Sequence, residues 1–481
     1  MALEHLEPKS FFRFFEEFAS VPHGSGHTDQ AAEYLVKFAN DRGIEVVRDG
    51  ANNVYMRQPA TPGYENAPGV ILQGHLDMVC DQDKGVGHNF LTDPLTLYVE
   101  DGEWIRARGT TLGADDGVAV AMALAVLDSK DIPHGPLEAV FTSDEEVGML
   151  GATAFDGSLL KGHYLINMDT ENDGMLLIGC CGGLRADLTL PLERETVAGL
   201  APYRLELKGL LGGHSGEDIH RQRASALVLL ARFFTELAEA MPVRIASLAG
   251  GIADNAICRE SEAVFGVRPA DAEALLSFVK QFEATLQKEY AGVETGIEVE
   301  AAPVEALGTV LTEACAQKAL DLITLLPFGY YFRSVRFENL TETSANPGIL
   351  EMDETKMVVG MSLRSNVQSR MALPKEQVEA LARLTGARVD FYGGYIPWES
   401  DPNSALVAKT QATYRELFGE DMQLQAIHGG IECGVFGGKA DLDMVSFGPQ
   451  IDYIHSPRER LSISSTQKYW KFLVELLGRL R

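Results

Sequence analysis

Basic residues are scarce in this 481-residue chain: 41 Lys and Arg stand against 69 Asp and Glu, a formal net charge of −28. That balance repels phosphate backbones and anionic lipid surfaces, which disfavours a general nucleic-acid or membrane-surface role. A strong negative field suits the capture of divalent cations, although more often it only keeps a protein soluble. Cysteine is sparse too. The six cysteines, Cys80, Cys180, Cys181, Cys258, Cys315 and Cys433, include no C-x-x-C pair, which argues against a thiolate zinc ribbon, and they are too few for a disulfide scaffold. The opening MALEHLEPKSFFRFFEEF breaks its apolar residues with Glu, Lys and Arg, so it lacks a signal-peptide core. No apolar run reaches the roughly 20 residues that a membrane span needs. There is no fixed-period repeat and no low-complexity tract. The expected setting is a reducing cytoplasm.

What is present is ordinary globular material, 46% hydrophobic, and long enough for at least two domains. Phe11 to Phe18 and Asp29 to Arg42 carry helical apolar spacing. Short apolar runs follow at 44–47, 69–79, 137–146 and 164–169, alternating with helices such as Gly117 to Leu127. That alternation predicts an α/β sheet. Beyond Gly179–Gly183 the texture changes. ADLTLPLERE and YRLELKGL alternate apolar and polar residues, helices are expected over Arg223 to Ala240 and Ala270 to Glu289, and 357–367 reads as a strand. An α/β texture returns with DLDMVSFGP (441–449) and a terminal helix from Ser464 to Leu480. The expectation is one α/β domain interrupted by an inserted α+β domain.

Acids and histidines collect at the ends of the apolar runs, where open α/β sheets bind ligands. In GHLDMVCDQD (74–83), Asp77 follows His75 by two residues and shares its side of an extended backbone, so it can orient the imidazole of a metal ligand. The plainer reading is a polar strand end. In TTLGADDGVAVAMALAVL (110–127), Asp115 and Asp116 precede a helix, and capping accounts for one of them but leaves the other free. In VFTSDEEVGMLGA (140–152), Asp144, Glu145 and Glu146 follow a strand. They form either a solvated turn or a cation site in which one Glu binds and the other stays free as a base. Asp169 ends the run INMD, and His455 sits in a loop before the last helix, where a histidine is usually a surface residue. Nitrogen and oxygen donors without thiolate suit zinc, manganese or cobalt. Five such ligands are too many for one tetrahedral ion. One bridging carboxylate gives each of two ions three ligands and leaves room for a shared water.

These segments, GHLDMV, GTTLGADDGVAVA, TSDEEVGMLGA, INMDTE, GGHSG, HGGIECGVF and IHSPRERLSI, resemble in order those of the M20 metallopeptidases. The resemblance is greatest to the aminoacyl-histidine dipeptidase branch, the cytosolic non-specific or Xaa-His dipeptidases. It implies a catalytic α/β domain with a mixed, mostly parallel sheet flanked by helices, interrupted by an inserted α+β lid. The implied bounds are 1–183, 184–395 (lid and dimerisation) and 396–481. It implies His75, Asp115, Glu146, Asp169 and His455 as ligands of two divalent ions, most simply Zn2+, with Asp115 bridging, Glu145 as general base and Asp77 behind His75. From the lid, His214 in GLLGGHSGEDIH would stabilise the oxyanion, reaching over from a homodimer partner. Asn255 and Arg364 would hold the substrate, and His428 to Gly430, including Gly429, would form a substrate loop. On the residues alone His214 is a turn histidine and Arg364 an arginine on a strand. The activity implied is hydrolysis of unblocked dipeptides, with Xaa-His dipeptides among the candidate substrates. Rivals are a tripeptidase or N-acyl amino acid deacylase of the same superfamily, or a non-catalytic metal-dependent binding protein.

Overall fold

The computed structural model describes residues 2–401 and 403–481. The chain divides into two compact units, one of residues 1–180, 398–426 and 431–481, the other of 181–397 and 427–430.

The first unit opens with α1 (Lys9–Ala19), α2 (Asp29–Arg42), β1 (Glu45–Arg48), β2 (Val54–Gln58), β3 (Val70–His75), β4 (Leu97–Glu100) and β5 (Trp104–Ala107). It continues through α3 (Ala114–Asp128), β6 (Leu137–Thr142), α4 (Leu150–Ala154), β7 (Tyr164–Asn167) and β8 (Met175–Cys180). The second unit runs through β9 (Gly182–Pro191), β10 (Arg194–Glu195), β11 (Ala201–Lys208), α5 (Ala226–Ala240), β12 (Val243–Gly250), β13 (Ser261–Val267) and α6 (Ala272–Glu289). It then adds β14 (Glu298–Pro303), β15 (Val310–Leu311), α7 (Glu313–Leu325), β16 (Gly329–Arg333), β17 (Thr341–Met352), β18 (Lys356–Ser365), α8 (Ala372–Thr385) and β19 (Arg388–Tyr395). The chain ends with α9 (Ala405–Phe418), β20 (Gln423–Ile427), α10 (Glu432–Gly437), β21 (Asp443–Ser446), β22 (Ile451–Asp452), β23 (Arg460–Ser462) and α11 (Ile463–Arg479).

The main sheet of the first unit has the order β1-β2-β6-β3-β7-β21-β8-β20. Its central strands β6, β3, β7 and β21 are parallel, while β1, β2 and β8 join antiparallel. The central strands are buried throughout, as the continuous runs VILQGH and LEAVFT require. Helix α3 is apolar on every side and buried along nearly its whole length, as an enclosed helix must be. It packs closely enough on β3 that a Cβ at Gly74 would lie 2.3 Å from both the Ala119 methyl and Asp116 Oδ2. Its other neighbour is α1, whose five phenylalanines, Phe11, Phe12, Phe14, Phe15 and Phe18, are all buried.

The second unit is an antiparallel sheet of order β14-β11-β13-β12-β17-β18-β9-β19, with β16 paired to β17. A single hydrophobic core joins it to α5, α6, α7 and α8, centred on Phe233, Phe234, Phe265 and Phe282. Alternating burial along β9 and β11 is the signature of strands with one covered face.

Candidate active site

In the first unit, β3 ends on His75, β6 ends three residues before Glu145, and β7 ends two residues before Asp169. These strands are parallel neighbours, so their carboxyl ends deliver the three segments to one edge of the sheet. Asp115 enters from the start of α3, and His455 from the loop between β22 and β23.

Asp115 stands between two imidazoles. Its Oδ1 lies 3.1 Å from His75 Nε2, and its Oδ2 lies 3.1 Å from His455 Nε2. His75 Nε2 is also 3.7 Å from Asp169 Oδ1, and His455 Nε2 is 3.0 Å from Glu146 Oε1. Two donor groups therefore share one carboxylate, His75 and Asp169 on one side, Glu146 and His455 on the other. Ligand atoms of Asp115, Glu146 and His455 fall within 4.8 Å of one another, as do those of Asp115, Asp169 and Glu171, of His75, Glu145 and Glu146, and of His75, Asp116 and Asp169.

Three observations fit this cluster to divalent cations. First, His75 Nδ1 donates to the Asp77 carbonyl at 3.0 Å, which fixes the ring with Nε2, the nitrogen that would ligate a cation, turned toward Asp115. Second, Glu146 Oε1 is buried and turned toward His455 Nε2 at 3.0 Å, so that two donor atoms of one prospective site face each other. Third, tetrahedral zinc with donors at about 2.0–2.1 Å holds them roughly 3.3 Å apart, a spacing that the separations above bracket. The charges agree. Burial pushes Asp169 up to about 7. It drives Glu145 well above the carboxylate range, with the charges of Asp169, Glu432 and Glu146 adding to the effect against His75. Burial works against a charged His75, but hydrogen bonds to Asp115, Asp169 and Asp77 raise it well above its ordinary value, and those to Asp115 and Glu146 raise His455 to about 11. Asp115, Asp116, Asp169, Glu145 and Glu146 outnumber the two imidazoles. An enclosed excess of carboxylates is relieved by cations.

The surrounding groups fix these donors. Asp77 Oδ1 accepts the Glu145 amide at 3.0 Å, and its Oδ2 accepts Ser25 Oγ at 2.7 Å and the Glu146 amide at 3.4 Å. Its carboxylate thus serves the 145–146 turn, while its backbone carbonyl orients His75. The adjacent acids divide the work: Asp116 accepts the amides of Ala119 (3.2 Å) and His75 (3.3 Å), which leaves Asp115 free to face the imidazoles. Glu459, which sequence reasoning missed, is buried and accepts the amides of Leu112 (2.7 Å), Gly113 (3.1 Å), Ala114 (2.8 Å) and Asp115 (3.4 Å). It fills the electropositive start of α3 from the loop that also carries His455. Its only sequence signal was an acid four residues beyond His455. Glu171 also went unread; it sits two residues past Asp169.

The second unit gathers its own group. The Glu217 amide donates to His214 Nδ1 at 3.1 Å, so the neutral ring keeps its proton on Nε2. Burial and the nearby Arg364 guanidinium lower His214 to about 4. Arg364 is buried on β18, with Nη2 3.4 Å from His214 Nε2 and 3.5 Å from Ser215 Oγ, and its Nε has no partner. Two N–H donors therefore converge with no acceptor between them. His428 is buried on Ser344 Oγ (2.7 Å) and Asn366 Oδ1 (2.9 Å), and the Gly429 carbonyl accepts the Cys181 amide at 3.1 Å. Asn255 meets this group through its backbone, its carbonyl accepting the Ser215 amide at 2.8 Å, while its side chain is exposed.

Among the described residues no helix is long and apolar enough to cross a membrane. Residues 71–479 match the model of peptidase family M20/M25/M40. The chain is 38% identical over 480 residues to the cytosol non-specific dipeptidase of Escherichia coli K12, covering 99% of each. Its structure superposes on aminoacylhistidine dipeptidase from Vibrio alginolyticus with a TM-score of 0.87 at 37% identity, covering 100% of this chain and 98% of that one. A tripeptidase from Staphylococcus aureus, with a TM-score of 0.58 at 16% identity over 99% of both chains, shares the fold. The chain is a member of peptidase family M20/M25/M40.

Proposed function

We propose that this protein is a metallo-dipeptidase that hydrolyses the peptide bond of unblocked dipeptides. The observation that carries the reading is Asp115, whose two oxygens face the imidazoles of His75 and His455 beside the half-buried Glu145. His75, Asp115 and Asp169 would hold one divalent cation, and Asp115, Glu146 and His455 a second. Nitrogen and oxygen donors favour zinc, with manganese or cobalt as substitutes. Bound there, the two cations supply Lewis acidity that lowers the pKa of water and polarises the scissile carbonyl. Glu145 takes the proton of the attacking water and passes it to the leaving amine. Asp77 keeps that turn in place through the Glu145 and Glu146 amides.

His214 and Arg364 are the substrate groups of this reading. The Nε2–H of a neutral His214 suits a developing oxyanion, and the guanidinium suits a terminal carboxylate. Asn255 and Gly429 complete the substrate loops. The substrate class rests on similarity along the whole chain to two relatives named as dipeptidases. The tripeptidase likeness, at 16% identity, extends to the fold alone. A cytoplasmic homodimer, in which each subunit lends its His214 to the other, belongs to the same proposal.

Protein stripped with a chelator, reloaded with zinc and assayed on free dipeptides, tripeptides and N-acyl amino acids tests the reading. Fast cleavage of dipeptides, with the other two classes slow, is expected. Intact deacylation without dipeptide cleavage would replace it with the deacylase reading, and no turnover of any class would favour a binding protein.

A further inference from the structure

The strands that carry His75, Glu146 and Asp169 share a second feature just beneath those residues. VILQ, LEAVFT and YLIN are apolar runs, yet each ends or nearly ends on a fully buried polar side chain: Gln73, Thr142 and Asn167. Ser446 does the same at the end of β21. The side chains form one chain across the parallel strands in the order β6, β3, β7, β21. Thr142 Oγ1 donates to Glu432 Oε2 at 2.6 Å, and Gln73 Nε2 donates to the same oxygen. Asn167 Nδ2 donates to Gln73 Oε1 at 2.7 Å, and Ser446 Oγ donates to Asn167 Oδ1. Asn167 Oδ1 also accepts the Asp169 amide at 3.3 Å, and Ser446 Oγ pairs with Thr170 Oγ1 at 2.6 Å. The hub, Glu432, is fully buried at the start of α10 and so comes from the late part of the chain.

Buried polar groups cost several kcal/mol unless they are paired, and an apolar residue at each position would fill a strand end without that cost. The backbone ladder already sets the register of these strands. It stops at or just before the segments of interest: β3 at His75, β6 at Thr142 and β7 at Asn167. The side-chain chain ties the strands together where the ladder ends.

We propose that Thr142, Glu432, Gln73, Asn167 and Ser446 form a positioning device that sets the spacing of His75, Glu146 and Asp169 for cation binding, with the Glu432 carboxylate as its acceptor hub. This rests on the reading that those strand ends hold two cations. Residues that orient metal ligands typically cost about 10- to 100-fold in metal affinity when removed.

Cation affinity of the full-length protein, measured by chelator competition together with the visible spectrum of the cobalt-loaded form, tests the proposal without reference to peptidase activity. Glu432→Leu and Thr142→Val should weaken binding about 10- to 100-fold and alter the cobalt spectrum, with far-UV circular dichroism unchanged. Glu432→Gln, which keeps an oxygen able to accept from both Gln73 and Thr142, should stay near wild type. Wild-type affinity in both Glu432→Leu and Thr142→Val would overturn the proposal, leaving the chain as fold glue. A Glu432→Gln loss as large as that of Glu432→Leu would also overturn it, by making Glu432 a charge and not a hub. If Glu432→Leu fails to fold, Thr142→Val decides alone, since it keeps the volume and alters no charge. A wild-type protein that takes up fewer than two cations would sink the functional reading first, and this proposal with it.

Discussion

Glu145 and Glu146 are neighbours in sequence with opposite surroundings. Glu146 Oε1 lies 3.0 Å from His455, whereas burial and like charges act on Glu145. Glu145→Ala should therefore lower turnover by at least about a hundredfold, the lower end for general acid–base groups, while metal content per chain stays at the wild-type level. Loss of metal in that variant, read by elemental analysis, would mean that the two residues exchange roles. His214 gives a pH prediction. Burial and Arg364 disfavour its imidazolium, so its pKa falls from the usual 6.5 to about 4. The unfolded chain takes up this proton as pH drops through 6.5, while the folded chain resists until about 4, so this residue's contribution to stability declines across that window. The His214 ring resonances should stay those of the neutral form from pH 8 to below 6 in an NMR titration; a midpoint near 6.5 would contradict this.

At the level of elements, the start of α3 depends on a side chain from the loop between β22 and β23. Glu459→Ala would strip the Leu112, Gly113, Ala114 and Asp115 amides of their acceptor. Each buried donor left unmet costs about 1–3 kcal/mol, so the urea midpoint should fall clearly. A midpoint equal to wild type would show that water or a shifted backbone replaces the carboxylate. Much of the architecture was legible in the chain. The runs ending at His75, Thr142 and Asn167 read as buried strands because they are short and mostly apolar, and α2 announced itself by its spacing. Parallel pairing joins the four central strands, a detail that strand patterns do not encode. Helices α7, α8 and α9 were not anticipated. Their buried faces mix small and polar residues with apolar ones, such as Cys315, Ala319, Thr385, Thr410 and Thr413, which blurs the apolar period. At the site, His75, Glu146 and Asp169 stood out as a histidine and acids following apolar strands, whereas Asp115 read equally as a helix cap and His455 as a loop histidine. Which of Asp115 and Asp116 would cap could not be read, because both precede the same helix. Glu459 and Glu432 were silent because their partners are hundreds of residues away and are backbone amides or uncharged side chains.

For the whole molecule, the catalytic reading assigns the base to the first unit and the oxyanion donor to the second. If His214 acts across a homodimer, mixing Glu145→Ala and His214→Ala proteins under conditions of subunit exchange should restore activity. Each hybrid would then hold one complete set of groups. No recovery, with exchange verified by a size or fluorescence label, would confine His214 to its own subunit. The net charge of −28 lends the same chain a field that attracts cations, but the field alone specifies no number. The shared carboxylate does. The most direct test is therefore a count: apo-protein titrated with zinc by calorimetry, in wild type and in His455→Ala. Two ions per wild-type chain and one in His455→Ala are predicted, because Asp115 would still bind with His75 and Asp169. A single ion per wild-type chain would contradict the bridging role of Asp115, and with it the two-metal account.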